Sequence, residues 1–335
     1  MTVKHLITTL KCLIFSAFCT PCFLLAQESM FRTFQADQAL QMEIVCNWDT
    51  LSALYGEDEM DGLAIYGGQE WDLELRLRGR SRRKECDSTL LPFRIQFRKG
   101  ELREAGLEEF RNHKIVTPCL TDDSGLESLM EEYLIYQLYN ILSDSSFRVV
   151  DGILTRSWPD GIKKGDEISM LILEPNNELF SRLGGEEIEL PNFPSDSLDP
   201  YTYNLNALFQ FMIGNFDWSQ EFLRNVKLVR IGDKTITVPY DFDYCSIVNP
   251  PYRKAPIDLG ITTSNDRVYL GKYFFHTLPQ AEAVFLNHRQ EITDLVLEFE
   301  PLKKSRRKQI VKYLDGFFDY LADPEHQLEY KFILN

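Results

Sequence analysis

Four polar residues between Ile213 and Asp243 are placed for chemistry rather than for solubility: Asp217, Asn225, Asp241 and Asp243. Asp217 lies just beyond an apolar, helix-like segment, Leu205 to Ile213. Asn225 opens a short strand, Val226 to Val229, and a Gly232-Asp233 turn reverses it. Asp241 and Asp243 close the returning strand, Thr235 to Tyr240. Such a hairpin, with an acid before it, an amide at its start and two acids at its end, can gather four oxygen ligands around a divalent cation. Hard cations such as Mg²⁺ or Mn²⁺ take ligands of this kind, usually together with phosphate oxygens.

The partners for such a site must come from the preceding elements. Trp71 to Arg78 reads W-D-L-E-L-R-L-R, an alternation that predicts a half-exposed strand. It runs into Gly79-Arg80-Ser81-Arg82-Arg83-Lys84, the most basic stretch of an acidic chain. A strand followed by a glycine turn and donors can cradle phosphates through Arg78, Gly79, Ser81 and Arg82. The same letters also fit a solvated hairpin carrying surface arginines. Strands are expected at Leu91 to Phe97 and Asn112 to Thr117, then a helix capped by Ser124, with Glu127 at the capping-box position. Its apolar stripe includes Leu126, Leu129, Leu134 and Leu138, and Glu131 and Glu132 lie off that stripe. Phe147 to Leu154 and Ile168 to Leu173 read as further strands, and Leu173 to Asn177 as a crossing. Residues 185–203 read as a loop or lid, Asn204 to Ile213 as a helix, and 280–298 and 302–321 as two amphipathic helices. Lys303 to Lys308 reads as a solvated helix face.

The N-x-D of Asn215 to Asp217, Asn225 and the P-Y-D-F-D of Pro239 to Asp243 resemble the catalytic and metal loops of atypical kinases of the spore-coat CotH type. A looser likeness is to HipA. Arg78, Gly79, Ser81 and Arg82 match the R-G-x-S-R element of CotH-type sequences. The resemblance extends from about residue 70 to about residue 275. It implies a two-lobed α+β protein-kinase-like fold: a small antiparallel-sheet lobe with one long helix, then a mainly helical lobe. It implies ATP and Mg or Mn as cofactors, Asp217 as the catalytic acid that orients the acceptor hydroxyl, and Asn225, Asp241 and Asp243 as metal ligands. Lys114 would pair with nucleotide phosphates, with Arg94 as runner-up, and either Glu131 or Glu132 would pair with Lys114. The backbone of Leu173 to Asn177 would meet the adenine edge. Asp217 and Asn225 stand eight residues apart, against about five in the usual kinase loop, a spacing that favours an inactive copy of the fold.

Residues 1–26 read as a secretory signal peptide, with Lys4 and Lys11 before an apolar run that ends at Leu24-Leu25-Ala26. A retained anchor, or lipidation at Cys19 or Cys22, are the rival readings. The domain division is then an N-terminal extension over 27–68, a first lobe over 69–174 and a second over 175–335. The expected location is secreted or periplasmic, alternatively lipid-anchored at the cell envelope, with no membrane span after signal removal. Formal net charge of −15 argues against nucleic acid as a partner. Beyond the signal, Cys46, Cys86, Cys119 and Cys245 form an even set without C-x-x-C spacing. Disulfides are therefore allowed and a zinc site is not indicated. Cys86 and Cys119 flank the predicted strand pair and make the expected bridge.

Three function classes follow. The first is a secreted ATP- and metal-dependent phosphotransferase acting on a protein or small hydroxyl acceptor. The second is a catalytically inactive binding module at the cell surface or in the periplasm. The third is a glycosidase pairing Asp217 with Asp241 or Asp243, which leaves Asn225 and the arginine turn without a role.

Overall fold

Alternating strands dominate the first half of the chain, and they close on themselves. The computed structural model describes residues 28–54, 58–79, 82–161, 165–254, 257–263 and 265–334. Helix α1 (Met30–Ala36) leads to β1 (Gln41–Val45), α2 (Trp48–Ala53), β2 (Met60–Tyr66) and β3 (Gln69–Leu77). The short α3 (Arg82–Glu85) precedes β4 (Phe93–Phe97), α4 (Lys99–Glu104) and β5 (Asn112–Val116). The long α5 (Asp123–Leu142) is followed by β6 (Val149–Ser157) and β7 (Glu167–Leu173). These strands form a closed barrel in the order β1-β2-β3-β4-β5-β7-β6.

This closure overturns the expected kinase-like pair of lobes with a small antiparallel sheet. Gln41–Val45 and Met60–Tyr66, assigned from the sequence to an N-terminal extension, supply two of the barrel strands. β1 pairs antiparallel with β2 on one side and parallel with β6 on the other, Gln41 facing Ile153 and Val45 facing Ser157. A sheet so joined has no free edge. Its interior is filled by the alternate residues Leu73, Leu75, Leu77, Phe93, Ile95, Phe97 and Ile115, and Phe31 and Phe34 of α1 pack into the same core. Arg76, Arg78, Arg94 and Lys114 are thereby sent to the opposite face of the strands.

His113 sits inside this barrel, fully buried, with its ring edge-on to Phe34 and Phe97 at 5.6 and 5.4 Å. Burial pushes its imidazole down to about 4. The folded chain therefore holds His113 neutral where the unfolded chain would protonate it. The stability this contributes is complete above about pH 6.5 and declines as pH falls from there to about 4, by up to ~3 kcal/mol. Denaturant melts between pH 7 and 4 should show this slope in the native chain and a shallower one in His113→Phe.

Helix α5 is capped by Asp122, whose carboxylate accepts from the Ser124 and Gly125 N–H groups, rather than by Ser124. Lying between the barrel and the helices of the second half, it is buried on nearly every side. Glu131 and Glu132, placed by the stripe on its solvent side, are each 2% exposed.

Beyond β7 the chain forms α6 (Asn176–Leu183), β8 (Glu186–Ile188) and α7 (Pro200–Ile213). The expected hairpin follows as β9 (Val226–Ile231) and β10 (Lys234–Pro239), and β8 joins it as a third strand from the segment read as a lid. β11 (Arg267–Val268) pairs with β12 (Ile333–Leu334). The stretch 280–298 is broken at His288 into α8 (Leu278–Asn287) and α9 (Arg289–Glu298), and α10 (Lys304–Ala322) follows. One continuous core links α5, α7, the β9–β10 hairpin and α8 to α10.

The expected disulfide is present: Cys86 and Cys119 are bonded with their Cα atoms 4.6 Å apart. Cys46 and Cys245 are free and buried. The bond ties the end of α3 to the segment that leads into α5. It closes a loop of 33 residues, so Cys86→Ser with Cys119→Ser should destabilise the fold by about 3–4 kcal/mol, read as a shift in the denaturant midpoint. A disulfide belongs with an oxidising compartment. Among the described residues no helix is long and apolar enough to cross a membrane. The expected signal peptide over 1–26 lies outside the described residues.

Candidate functional site

Where the outer face of the barrel meets the second half of the chain, a cavity of about 390 Å³ opens. Arg78, Gly79, Arg82 and Lys114 line it from the barrel side, Glu132 and Tyr136 from α5, and Asp217, Asn225, Asp241 and Asp243 from the hairpin region. Residues more than a hundred positions apart thus share one wall. Ser81 lies outside the described residues. Glu131 does not line the cavity; it pairs with Arg306 on α10, whose guanidinium also donates to the Ile247 carbonyl. Arg306 belongs to the basic run read as a solvated face, and here it fastens α10 to α5.

The Asp217 loop is built by side-chain bonds to backbone. α7 ends at Gly214, whose φ of 67° turns the chain into the loop. A Cβ there would collide with Tyr313 and Ser246, so glycine is required. Asn215 is buried: its amide donates to Gln210 at 2.9 Å and its oxygen accepts the Asp217 N–H at 2.9 Å. The long spacing to Asn225 is absorbed locally. Ser219 and Arg224 exchange backbone hydrogen bonds at 2.9 and 2.8 Å, pinching residues 220–223 into a side loop. Asn225 thereby returns to Asp217, donating to its carbonyl at 2.7 Å and its carboxylate at 3.2 Å. Burial raises the Asp217 carboxyl above its usual range, and the nearby Arg224 opposes that rise.

Asp241 and Asp243 are set by the residue between them. Phe242 is fully buried against Tyr136 and Phe209, with ring centroids 4.8 and 5.5 Å away. This anchor, worth about 2–3 kcal/mol of burial, fixes both flanking acids at the cavity. The Asp241 N–H donates to the Tyr136 hydroxyl at 2.9 Å. Asp241 and Asn225 both adopt left-handed backbone, with φ of 61° and 53°. Such conformations in residues other than glycine carry strain and gather at functional sites.

Electrostatics at the cavity is a contest between buried acids and buried cations. Arg82 bonds Asp243 at 2.7 Å and Glu132 at 3.3 Å, and these two acids keep it charged despite its burial. Gly79, with φ of 73°, makes the turn that brings Arg82 round to them. Burial pushes Glu132 and Asp241 up, and the charge of Asp243 adds to both. Glu132 is therefore the partner of Arg82, not of Lys114. Lys114 instead donates to the Asn176 amide oxygen at 3.0 Å and lies 5.0 Å from the Tyr240 ring centroid. Burial, with Arg78 and Lys227 nearby, lowers Lys114 to about 7. The Arg78 guanidinium makes no hydrogen bond or salt bridge to another described residue, and Asp241 is the acid that stabilises its charge.

In the crossing after β7, read as the segment that would meet an adenine edge, the first residues are engaged by their neighbours. Leu173 is registered with Lys114 on one side and Val149 on the other. The Glu174 N–H donates to the Arg148 carbonyl at 2.9 Å. Sequence reading also missed Glu85, Tyr136, Tyr252 and Lys254 as lining residues. Of these, Tyr252 ends the stretch Asn249-Pro250-Pro251-Tyr252, whose prolines mark a turn, and the others stand in no such local pattern.

Among the described residues no group of three or more His, Cys, Asp or Glu side chains is arranged to hold a metal ion. Of the expected shell, Asp217, Asp241 and Asp243 thus do not form such a group by themselves. Asp241 and Asp243 remain a pair of hard oxygen donors whose mutual repulsion a cation would relieve. That chemistry fits Mg²⁺ or Mn²⁺ completed by phosphate oxygens and water.

No family profile and no curated protein matches the chain. The resemblance to CotH-type and HipA kinases therefore rests on its residues. Among solved structures, the chain is similar to a Helicobacter pylori proinflammatory kinase, CtkA, at 9% identity with a TM-score of 0.31. The match covers 79% of this chain and 89% of that one. A likeness that weak fixes neither fold nor function.

Proposed function

We propose that this cavity binds a nucleotide triphosphate with Mg²⁺ or Mn²⁺ and transfers its terminal phosphoryl group to a hydroxyl acceptor. The observation that supports this reading is the meeting, in one cavity, of Arg78, Arg82 and Lys114 with Asp217, Asn225, Asp241 and Asp243. In this reading the acceptor oxygen attacks the terminal phosphorus, the bond from phosphorus to the leaving diphosphate breaks, and the hydroxyl proton passes to the Asp217 carboxylate. Asn225 and Asn215 hold Asp217 in place for that step. Arg78 and Lys114 receive the charge of the phosphates, and Asp241 and Asp243, with the Asn225 amide, would hold the cation. The cation, when bound, would neutralise phosphate charge. Positioning and charge neutralisation are the main sources of rate in phosphoryl transfer.

A second reading draws on the Arg82–Asp243 bond, which occupies an acid that the cation needs. In that reading the chain is a catalytically inactive binding module. Thermal melts with ATP and Mn²⁺ separate the two. At a ligand concentration a hundred times Kd, a single site stabilises by about 2.7 kcal/mol. A rise in melting temperature that requires both ATP and Mn²⁺ supports the phosphotransferase; no rise with either supports the inactive module.

A further inference from the structure

Beside the main cavity, on the same outer face of the barrel, lies a second of about 210 Å³. Strand register sets Arg76 of β3 opposite Arg94 of β4, and Arg94 opposite Lys114 of β5. Like charges directly opposed across strands destabilise a sheet, so this row of three cations is a cost carried by the fold. The second cavity runs along the row and is completed by Arg111, Asn112 and the first residues of α6. Arg78 and Lys114 line both cavities and form the wall between them.

No acid is among the described residues that line the second cavity, although acids outside it pair with two of its arginines. Glu59 pairs with Arg94, and Glu74 pairs with Arg111 at 3.0 Å. The buried Nε of Arg94 has no hydrogen-bond partner among the described residues. Lys114 has a neutral amide as its hydrogen-bond partner. The start of α6, at Pro175, has no side-chain cap, so its first N–H groups add to the positive field. A bare purine ring is not the complement of such a lining; an anion is.

We infer that the second cavity is an anion subsite, and that a small polyanion with phosphate-class groups at both ends can span the two cavities, one group in each. This inference rests on the phosphoryl-transfer reading for the larger cavity. Charge-assisted bonds from arginine to phosphate are roughly twice as strong as neutral ones, and a second phosphate would relieve the repulsion along the strand row.

Isothermal titration of the full chain tests this with three probes: inorganic pyrophosphate, inositol hexakisphosphate and ATP with Mn²⁺. The net charge of −15 repels polyanions overall, so tight binding reports the local site. The hexakisphosphate is expected to bind at least tenfold tighter than pyrophosphate. Arg94→Gln with Arg111→Gln should remove that tenfold advantage while changing pyrophosphate affinity less than twofold. Should the double variant fold poorly, Asn177→Asp places a negative charge at the same cavity from an exposed position. It should weaken the hexakisphosphate at least fivefold. Equal affinity for the two phosphates, or variants that leave the hexakisphosphate unchanged, overturns the subsite. ATP binding without that dependence leaves phosphoryl transfer standing and removes the subsite. Subsite-dependent hexakisphosphate binding without any ATP binding does the reverse.

Discussion

Asp217→Asn is expected to reduce phosphoryl transfer by about 10²–10⁴-fold, the usual contribution of a positioned acid–base group, while nucleotide affinity changes less than twofold. The substitution removes a charge and keeps the shape. Its side-chain oxygen still accepts from Asn225, and the loop stays closed by the Asn215 bond and the Ser219–Arg224 pair. Steady-state transfer rates set beside titrated ATP affinity separate the two effects. An equal loss in both would move Asp217 from proton transfer to binding.

The second large effect is expected at Asp241. Asp241→Asn keeps a side chain that tolerates the φ of 61° at this position, where alanine would add strain. Without the carboxylate, Mn²⁺-dependent ATP binding should weaken by a hundredfold or more. The ligand-free fold should melt no lower than the native chain, because at Asp241 burial and the charge of Asp243 outweigh the balancing charges of Arg82 and Arg78. Loss of binding with retained or raised stability is the pattern that distinguishes a ligand-holding acid from a structural one. A lower melting temperature with unchanged ATP affinity would make Asp241 a structural member of the Arg82 cluster.

Local signals in the sequence were legible where a short period or a turn decided them. The alternation of Trp71 to Arg78 became β3, the Gly232-Asp233 turn became the β9–β10 hairpin, and Cys86 found Cys119. Barrel closure was not legible. Gln41–Val45 is a brief strand whose parallel partner lies more than a hundred residues on, and nothing local marks that pairing. For the same reason the residues before Trp71 read as an extension and the sheet as open. At the site, Asp217, Asn225, Asp241 and Asp243 were legible as a group, and the cavity gathers them. Their cationic partners were only partly so. Which glutamate of α5 faces Arg82 depends on the rotation of a helix buried on both sides, and amphipathic patterning is silent there. The return of Asn225 to Asp217 depends on a side loop pinched by two backbone bonds, which no residue type announces.

The central claim is that the acids of the β9–β10 hairpin and the cations of the barrel face act on one phosphate chain. A crystal structure with a non-hydrolysable ATP analogue and Mn²⁺ tests it most directly. The expected result is a triphosphate lying between Arg78 and Lys114 on one side and Asp241 and Asp243 on the other, with the metal bonded to the Asp241 carboxylate. A nucleotide seated elsewhere, or an Asp243 still bonded to Arg82 at saturating ligand, would contradict it.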